Sequence, residues 1–311
     1  MIVVFGSINM DVNMRLHTFP QPGETVVAPS YEMSPGGKGA NQSLAAARGG
    51  VKTALIGKVG DDAMAHRLLI GLRRNEVVTS GVAVSEVLPT GMAFITCDRT
   101  GENQIVVASG ANADIQASQV PNEILKAGNI VMFQMETPLA ENIALMERAK
   151  ANGASVMLNL APAIEIPQKA LELVDYLVVN EHEARYLGEI FGIARTQQLP
   201  QIAKFLSEKG KLDCIVTLGE KGAFALTKTG QHWRVPALPV KEMGDTIGAG
   251  DCFCGTLAAA LHEKQTLGAA MRRASVAASL SCTRKGAQES YPYIAEVDEA
   301  LKGFPQAELV S

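Results

Sequence analysis

Six short, nearly uninterrupted apolar runs constrain most strongly how this 311-residue chain can fold. They are IVVF (2–5), TALIG (53–57), IVMFQM (130–135), SVMLNL (155–160), YLVVN (176–180) and CIVTLG (214–219). None shows the apolar–polar alternation of a strand with one wet face, so each reads as a strand buried on both sides. Between them, stretches such as 138–152 and 198–209 carry spaced apolar residues and polar faces, the pattern of helices. Strands alternating with helices predict an α/β fold: a doubly wound, mostly parallel sheet flanked by helices. Ligands of such sheets gather at the carboxyl ends of the strands, so the polar residues standing there are the first functional candidates.

Two regions break the rhythm. Residues 15–35 are rich in Pro and turn residues, and 90–108 reads as two strands joined by the turn Arg99-Thr100-Gly101-Glu102-Asn103. Neither has a helix to cover it, which predicts a small β layer projecting from the core as a lid or an interface, with strands from about 12–35 and 90–108. With no repeat and no long linker, residues 1–311 read as a single domain carrying this insertion.

The formal net charge of −4 argues against a general nucleic-acid surface, though local donors can still hold a nucleotide. Five cysteines without a CxxC pair are neither a disulfide framework nor a zinc site. Cys252 and Cys254 read as small packing residues. The N-terminal MIVVFGSINMD has no basic region and no long apolar run, so a cytoplasmic protein without a membrane span is expected.

The strongest chemical signal is GDTIGAGD (244–251), followed by the apolar helix CFCGTLAAAL. Gly248, Ala249 and Gly250 allow a tight turn whose N–H groups converge, and the helix adds its first-turn donors and positive dipole end. Asp251 places a carboxylate beside them. An anion hole with a base at its lip is what phosphoryl transfer to a hydroxyl requires.

A second glycine motif, PGGKGANQSLAAARGG (35–50), offers Gly36 and Gly37 for close approach, Lys38 as a cation and Asn41 as donor and acceptor. Taken alone it is a glycine turn opening a helix, and it lacks the spacing of a Walker loop. GSINMD places Asn9 and Asp11 at alternate positions, able to grip adjacent hydroxyls; the plain alternative is a capped turn. In QMETP, Glu136 is either a ligand group or a helix-capping carboxylate before Pro138. NEHEA puts Asn180 and Glu183 at a helix start, within reach of phosphate or hydrated Mg2+. TLGEKGA (217–223) reads as a strand–turn–strand able to hold a nucleotide.

In order and spacing, GSINMD, PGETV, GGKGANQ, TGENQIVV, GANA, QMETP, NEHEA, TLGEKGA, DTIGAGD and TRKGAQ resemble the PfkB-type, ribokinase-like family of carbohydrate kinases over nearly the whole chain. The resemblance implies a Rossmann-like fold with a β-sheet lid, and ATP-dependent phosphorylation of D-ribose at its 5-hydroxyl. By similarity Asn9, Asp11, Gly37, Lys38, Gly39, Asn41 and Glu136 hold the sugar. Asn180 and the turn Thr217, Leu218, Gly219, Glu220, Lys221 and Gly222, with Gly250, contact the nucleotide, and Glu183 lies near Mg2+. Asp251 is the base, and Gly248, Ala249 and Gly250 form the anion hole. Asp245, Ile247, Ser281, Arg284, Gly286 and Ser290 match a monovalent-cation (K+) loop, some through backbone carbonyls. A homodimer is implied in the same way. Two positions depart from the pattern: Thr256 replaces the usual Ala or Gly, and Ser275, near the adenine, replaces a larger polar side chain.

Alternatives stay open on the residues. A sibling kinase would act on deoxyribose, fructose or a nucleoside, and a non-catalytic sugar or nucleotide sensor could retain the fold. A dehydrogenase would need GxGxxG directly after the first strand, which GSINMD is not.

Overall fold

The computed structural model describes residues 1–100 and 102–310. Ten strands form the main sheet: β1 (Ile2–Phe5), β4 (Thr53–Gly60), β5 (Val78–Ser85), β8 (Ile130–Phe133), β9 (Ser155–Asn159), β10 (Tyr176–Asn180), β11 (Asp213–Thr217), β12 (Ala223–Leu226), β13 (His232–Val235) and β14 (Glu308–Val310). Their order is β14-β13-β12-β11-β10-β9-β8-β1-β4-β5. Every neighbouring pair from β5 to β11 is parallel, and β12 to β14 add an antiparallel edge. The chain starts in the middle, runs out through β4 and β5, then returns to the other side of β1 at β8. The topological switch point therefore lies between β1 and β8, where a doubly wound sheet opens its ligand crevice.

The continuous apolar strands follow from two cores. In β1, Ile2 and Val4 face one core and Val3 and Phe5 the other; in β8, Ile130 and Met132 oppose Val131 and Phe133. The first core is covered by α1 (Lys38–Arg48), α2 (Ala63–Arg74), α7 (Ala249–His262) and α8 (Leu267–Ser281), with α9 (Ile294–Leu301) packed on α8. The second is covered by α3 (Leu139–Ala151), α4 (Gln168–Glu172), α5 (Glu181–Ile190) and α6 (Leu199–Gly210). The expected helices at 138–152 and 198–209 are α3 and α6, and Cys252 and Cys254 are buried in the first core. No described helix is long and apolar enough to cross a membrane.

A separate four-stranded sheet is built from β2 (Asn9–Arg15), β3 (Tyr31–Gly36), β6 (Gly91–Cys97) and β7 (Asn103–Ala108), in the order β3-β2-β6-β7. The expected turn at 99–103 connects β6 to β7, and its Gly101 lies outside the described residues. GSINMD is not a capped turn: β2 begins at Asn9, with three residues between it and the end of β1, so Asn9 and Asp11 are strand residues of the small sheet. They share a face because strand side chains alternate with period two. β3 runs directly into α1, which brings the second glycine motif to the junction of the two sheets.

Candidate active site

Two helix N-termini meet at the switch point, and they differ in what their donors do. At α1 the first N–H groups are already used. Lys38 N–H donates to Glu136 Oε2 (3.2 Å), Gly39 N–H to Ser7 Oγ (3.3 Å) and Ala40 N–H to the Ser7 carbonyl (2.9 Å). Ser7 Oγ–H in turn donates to Glu136 Oε2 (2.5 Å). Glu136 thus caps α1 and not the helix after Pro138, correcting the plain alternative for that residue. What Lys38 can offer a ligand is its side chain.

At α7 the turn is left open. Gly248, with φ of 73°, precedes the helix, and Ala249 N–H donates to the Thr246 carbonyl (3.3 Å). Gly250 and Asp251 follow in the first turn, where helix geometry supplies no carbonyl for their N–H groups. Gly250 borders a cavity of about 590 Å³, lined by Ala249, Gly250 and Phe253 on one side and Asn180, Thr217, Gly219, Glu220 and Gly222 on another. Ser275 also lines it, its Oγ–H donating to the Pro236 carbonyl (2.7 Å). Leu218 packs towards the second core and Lys221 is exposed, so the 217–222 turn presents only part of itself to the cavity.

Asp251 is buried at 7% exposure, and both carboxylate oxygens are held. Asn41 Nδ2 donates to Oδ2 (3.0 Å) and Gln42 Nε2 to Oδ1 (2.9 Å). Asn41 Oδ1 accepts from Gln288 Nε2 (3.0 Å), so its amide orientation is set from both ends. The Asp251 charge holds the Lys38 ammonium above its ordinary range, against the burial that lowers it.

Across from Asp251 lie the small-sheet residues. Asn9 is buried, and Asn112 Nδ2 donates to its Oδ1 (2.7 Å). Asp11 sits against Gly36, where any Cβ would overlap its carboxyl, and a Cβ at Gly37 would lie 2.6 Å from Asn9 N. Burial pushes the Asp11 carboxyl up to about 7; the charges of Glu136 and Asp251 add to that, and Lys38 opposes it.

Asn180 and Glu183 form a capping box on α5: Asn180 Oδ1 accepts from Glu183 N–H (2.9 Å) and Glu183 Oε2 from Asn180 N–H (2.8 Å). Burial raises the Glu183 carboxyl, and the Asn180 N–H works the other way. Asp245 Oδ1 accepts from Ile247 N–H (3.0 Å) and Oδ2 from Gly286 N–H (3.4 Å), while Arg284 reaches the Ser290 carbonyl (3.5 Å) and pairs with Glu296. Arg284 N–H donates to the Ser281 carbonyl (3.1 Å). The six cation-loop candidates therefore come from the loop before α7 and from the segment running from the end of α8 to Ser290, which this network joins. Among the described residues, no cluster of three or more His, Cys, Asp or Glu side chains could hold a metal by itself.

Ser7, Gln42, Asn112, Gln134, Asn159 and Gln288 are site residues that sequence reading did not single out. All but Asn159 lie inside motifs named above, but nothing local tells which polar residue in a motif supports another.

Comparison with known proteins places the chain in a family. Residues 1–294 match the pfkB family of carbohydrate kinases. A ribokinase of Haemophilus influenzae is 35% identical over 97% of this chain and 98% of its own. A deoxyribokinase of Salmonella typhi is 34% identical over 96% and 98%. The structure of Arabidopsis thaliana ribokinase complexed with ribose and ATP superposes with a TM-score of 0.88, at 30% identity over 97% of this chain and 98% of its own. By the extent of the family match and by these full-length similarities, the chain belongs to the pfkB family of carbohydrate kinases.

Proposed function

We propose that this protein transfers the γ-phosphoryl group of ATP to the 5-hydroxyl of D-ribose, giving D-ribose 5-phosphate and ADP. The observation that carries the reading is the placement of Asp251. Its carboxylate is clamped by Asn41 and Gln42 at the open N-terminus of α7, between the polar face of the small sheet and the nucleotide-sized cavity. In the reaction the sugar oxygen attacks the γ-phosphorus in line, the bond from γ-phosphorus to the β–γ bridging oxygen breaks, and Asp251 takes the hydroxyl proton. The N–H groups of the Gly248–Gly250 turn meet the charge on the transferring group.

The residues present fit the two cations that such a reaction uses. Mg2+ is commonly held by one or two carboxylates plus substrate phosphates, and Glu183 supplies such a carboxylate at the head of α5. It would neutralise phosphate charge. Asp245 with backbone carbonyls of the 245–247 and 281–290 loops is a donor set suited to K+. Five free cysteines accord with a cytoplasmic setting. The small sheet would act as a lid, with Asp11 and Asn9 on its inner face, and its exposed Phe94, Ile105, Val106 and Val107 favour a homodimer.

The deoxyribokinase relative supports one second reading, 2-deoxyribose as acceptor. A site built to hydrogen-bond a hydroxyl rejects the analogue lacking it by roughly 10⁴-fold. ADP release with D-ribose, 2-deoxy-D-ribose, fructose and nucleosides, with and without K+, tests both readings. D-Ribose giving the highest kcat/KM supports the proposal; a preference for another acceptor overturns it. Light scattering across a concentration series tests the dimer.

A further inference from the structure

Beneath Asp251 runs a chain of buried amides that nothing in the proposed reaction consumes. Gln134 follows β8, and its Nε2 donates to Gln42 Oε1 (2.8 Å). Gln42 Nε2 then spends both hydrogens, one on Asn159 Oδ1 (3.0 Å) at the end of β9 and one on Asp251 Oδ1 (2.9 Å). Both glutamines are fully buried. The Gln134 side chain lies against Gly6, where a Cβ would overlap its Oε1, and Asn142 Nδ2 donates to the Gln134 carbonyl (2.9 Å). The chain is thus braced by the two strands that flank the switch point.

The direction of this chain is determined by its ends. Asn159 Nδ2 donates to the Val178 carbonyl (3.2 Å), so Asn159 presents its oxygen to Gln42. With Gln42 reversed, its oxygen would face two acceptors, Asn159 Oδ1 and the Asp251 carboxylate. The two Gln42 N–H groups therefore face Asn159 Oδ1 and the Asp251 carboxylate, and acceptor oxygens at both complete the arrangement. A general base must be ionised and held in one orientation before the hydroxyl arrives.

We infer that Gln42, backed by Gln134 and Asn159, is a positioning residue that holds the Asp251 carboxylate aimed at the acceptor hydroxyl. The inference rests on the kinase reading for its consequence in catalysis, but the hydrogen-bond effect on Asp251 stands apart from it. Other groups also face Asp251: Lys38 from α1, Asp11 from β2, Glu183 from α5, Cys252 and Cys254 from its own helix, and Tyr291 from the loop before α9. Because Asp11 itself titrates near neutrality, a pH–activity profile alone would not identify the group responsible.

The decisive measurement is a site-resolved titration of the Asp251 carboxyl by carbon-detected NMR, assigned with Asp251→Asn, in the wild type, Gln42→Met and Gln134→Met. Losing one N–H from the carboxylate is expected to move the Gln42→Met midpoint up by about one pH unit. Gln134→Met should move it the same way by less. In kinetics, Gln42→Met should lower kcat by about 10- to 100-fold through lost orientation, with the KM for ATP within about twofold. An unmoved Asp251 midpoint in Gln42→Met overturns the relay. If that variant does not fold, an unmoved midpoint in Gln134→Met does the same. A wild type inactive towards every sugar would overturn the kinase reading and leave the titration to decide the relay on its own.

Discussion

Asp251 receives two amide N–H donors, whereas among the described residues no hydrogen bond reaches the Asp11 carboxyl, which shares its site with Glu136 and Asp251. The surroundings of Asp11 favour a carboxyl that holds its proton until a ligand supplies partners. Asp251→Asn should lower kcat by about 10²–10⁴. Nucleotide affinity, measured by calorimetry, should stay within about threefold, because the cavity walls and the α7 donors remain. Asp11 makes a stability prediction. Its folded value of about 7 lies above the ordinary 3.8, so between these the folded protein keeps a proton that the unfolded chain has released. This contribution is full below about pH 4 and is lost as pH rises through about 7. Urea unfolding at pH 5 and pH 8 should show a smaller difference in Asp11→Asn than in the wild type. Asn9, Asp11, Lys38, Asn41, Glu136 and Asp251 were legible because short motifs place suitable side chains at strand and helix ends. Gln288 was not legible as Asn41's partner, since the two stand 247 residues apart and only folding makes them neighbours.

Helices α1 and α7 show how one local pattern serves two purposes. Both follow a glycine turn, and sequence reading treated both motifs as places of close approach to a ligand. In the structure Ser7 and Glu136 take the first donors of α1, and the turn before α7 leaves its own facing the cavity. The glycines of the second turn also differ from each other. Gly248 has φ of 73°, and a Cβ there would lie 2.6 Å from Tyr291 Oη and 2.8 Å from Ala287 Cβ. Gly250 has nothing within 4 Å of that position. Gly248→Ala should thus lower Tm and kcat together, by displacing the start of α7. Gly250→Ala should leave Tm unchanged or raise it slightly, a helix interior favouring Ala by about 1 kcal/mol, and show its loss in kcat/KM for ATP. Thermal melts with steady-state kinetics on the two variants check both outcomes. On α5, the capping box explains Asn180 and Glu183 structurally, and Asn180 also lines the cavity.

Polar side chains help fasten the two sheets together. Thr90, just before β6, donates its Oγ–H to Asp62 Oδ1 (2.9 Å) and accepts from Gly60 N–H (3.0 Å), while Asp62 Oδ2 accepts from Thr90 N–H (2.8 Å). Asn112 closes the other side by accepting from Ile8 N–H (2.9 Å) and donating to the Ile8 carbonyl (3.1 Å). Thr90→Val removes the hydroxyl bonds and strands Gly60 N–H, a cost of about 1–3 kcal/mol. Hydrogen exchange should then rise in β6 and β7 while β1 and β8 keep their protection. At this scale the sequence determined by itself the strand–helix rhythm, the two-sided burial of the strands, the turn before α7 and the place of Asp251 in its first turn. Hydrophobic period and glycine turn chemistry act over a few residues, so they are written locally. Only the tertiary structure decided that Glu136 caps α1, that Asn41 and Gln42 hold Asp251, that β2 begins at Asn9, and that Asp11 sits in surroundings which favour its proton. Those outcomes depend on burial and on partners brought from distant parts of the chain, and neither exists until the sheets have packed.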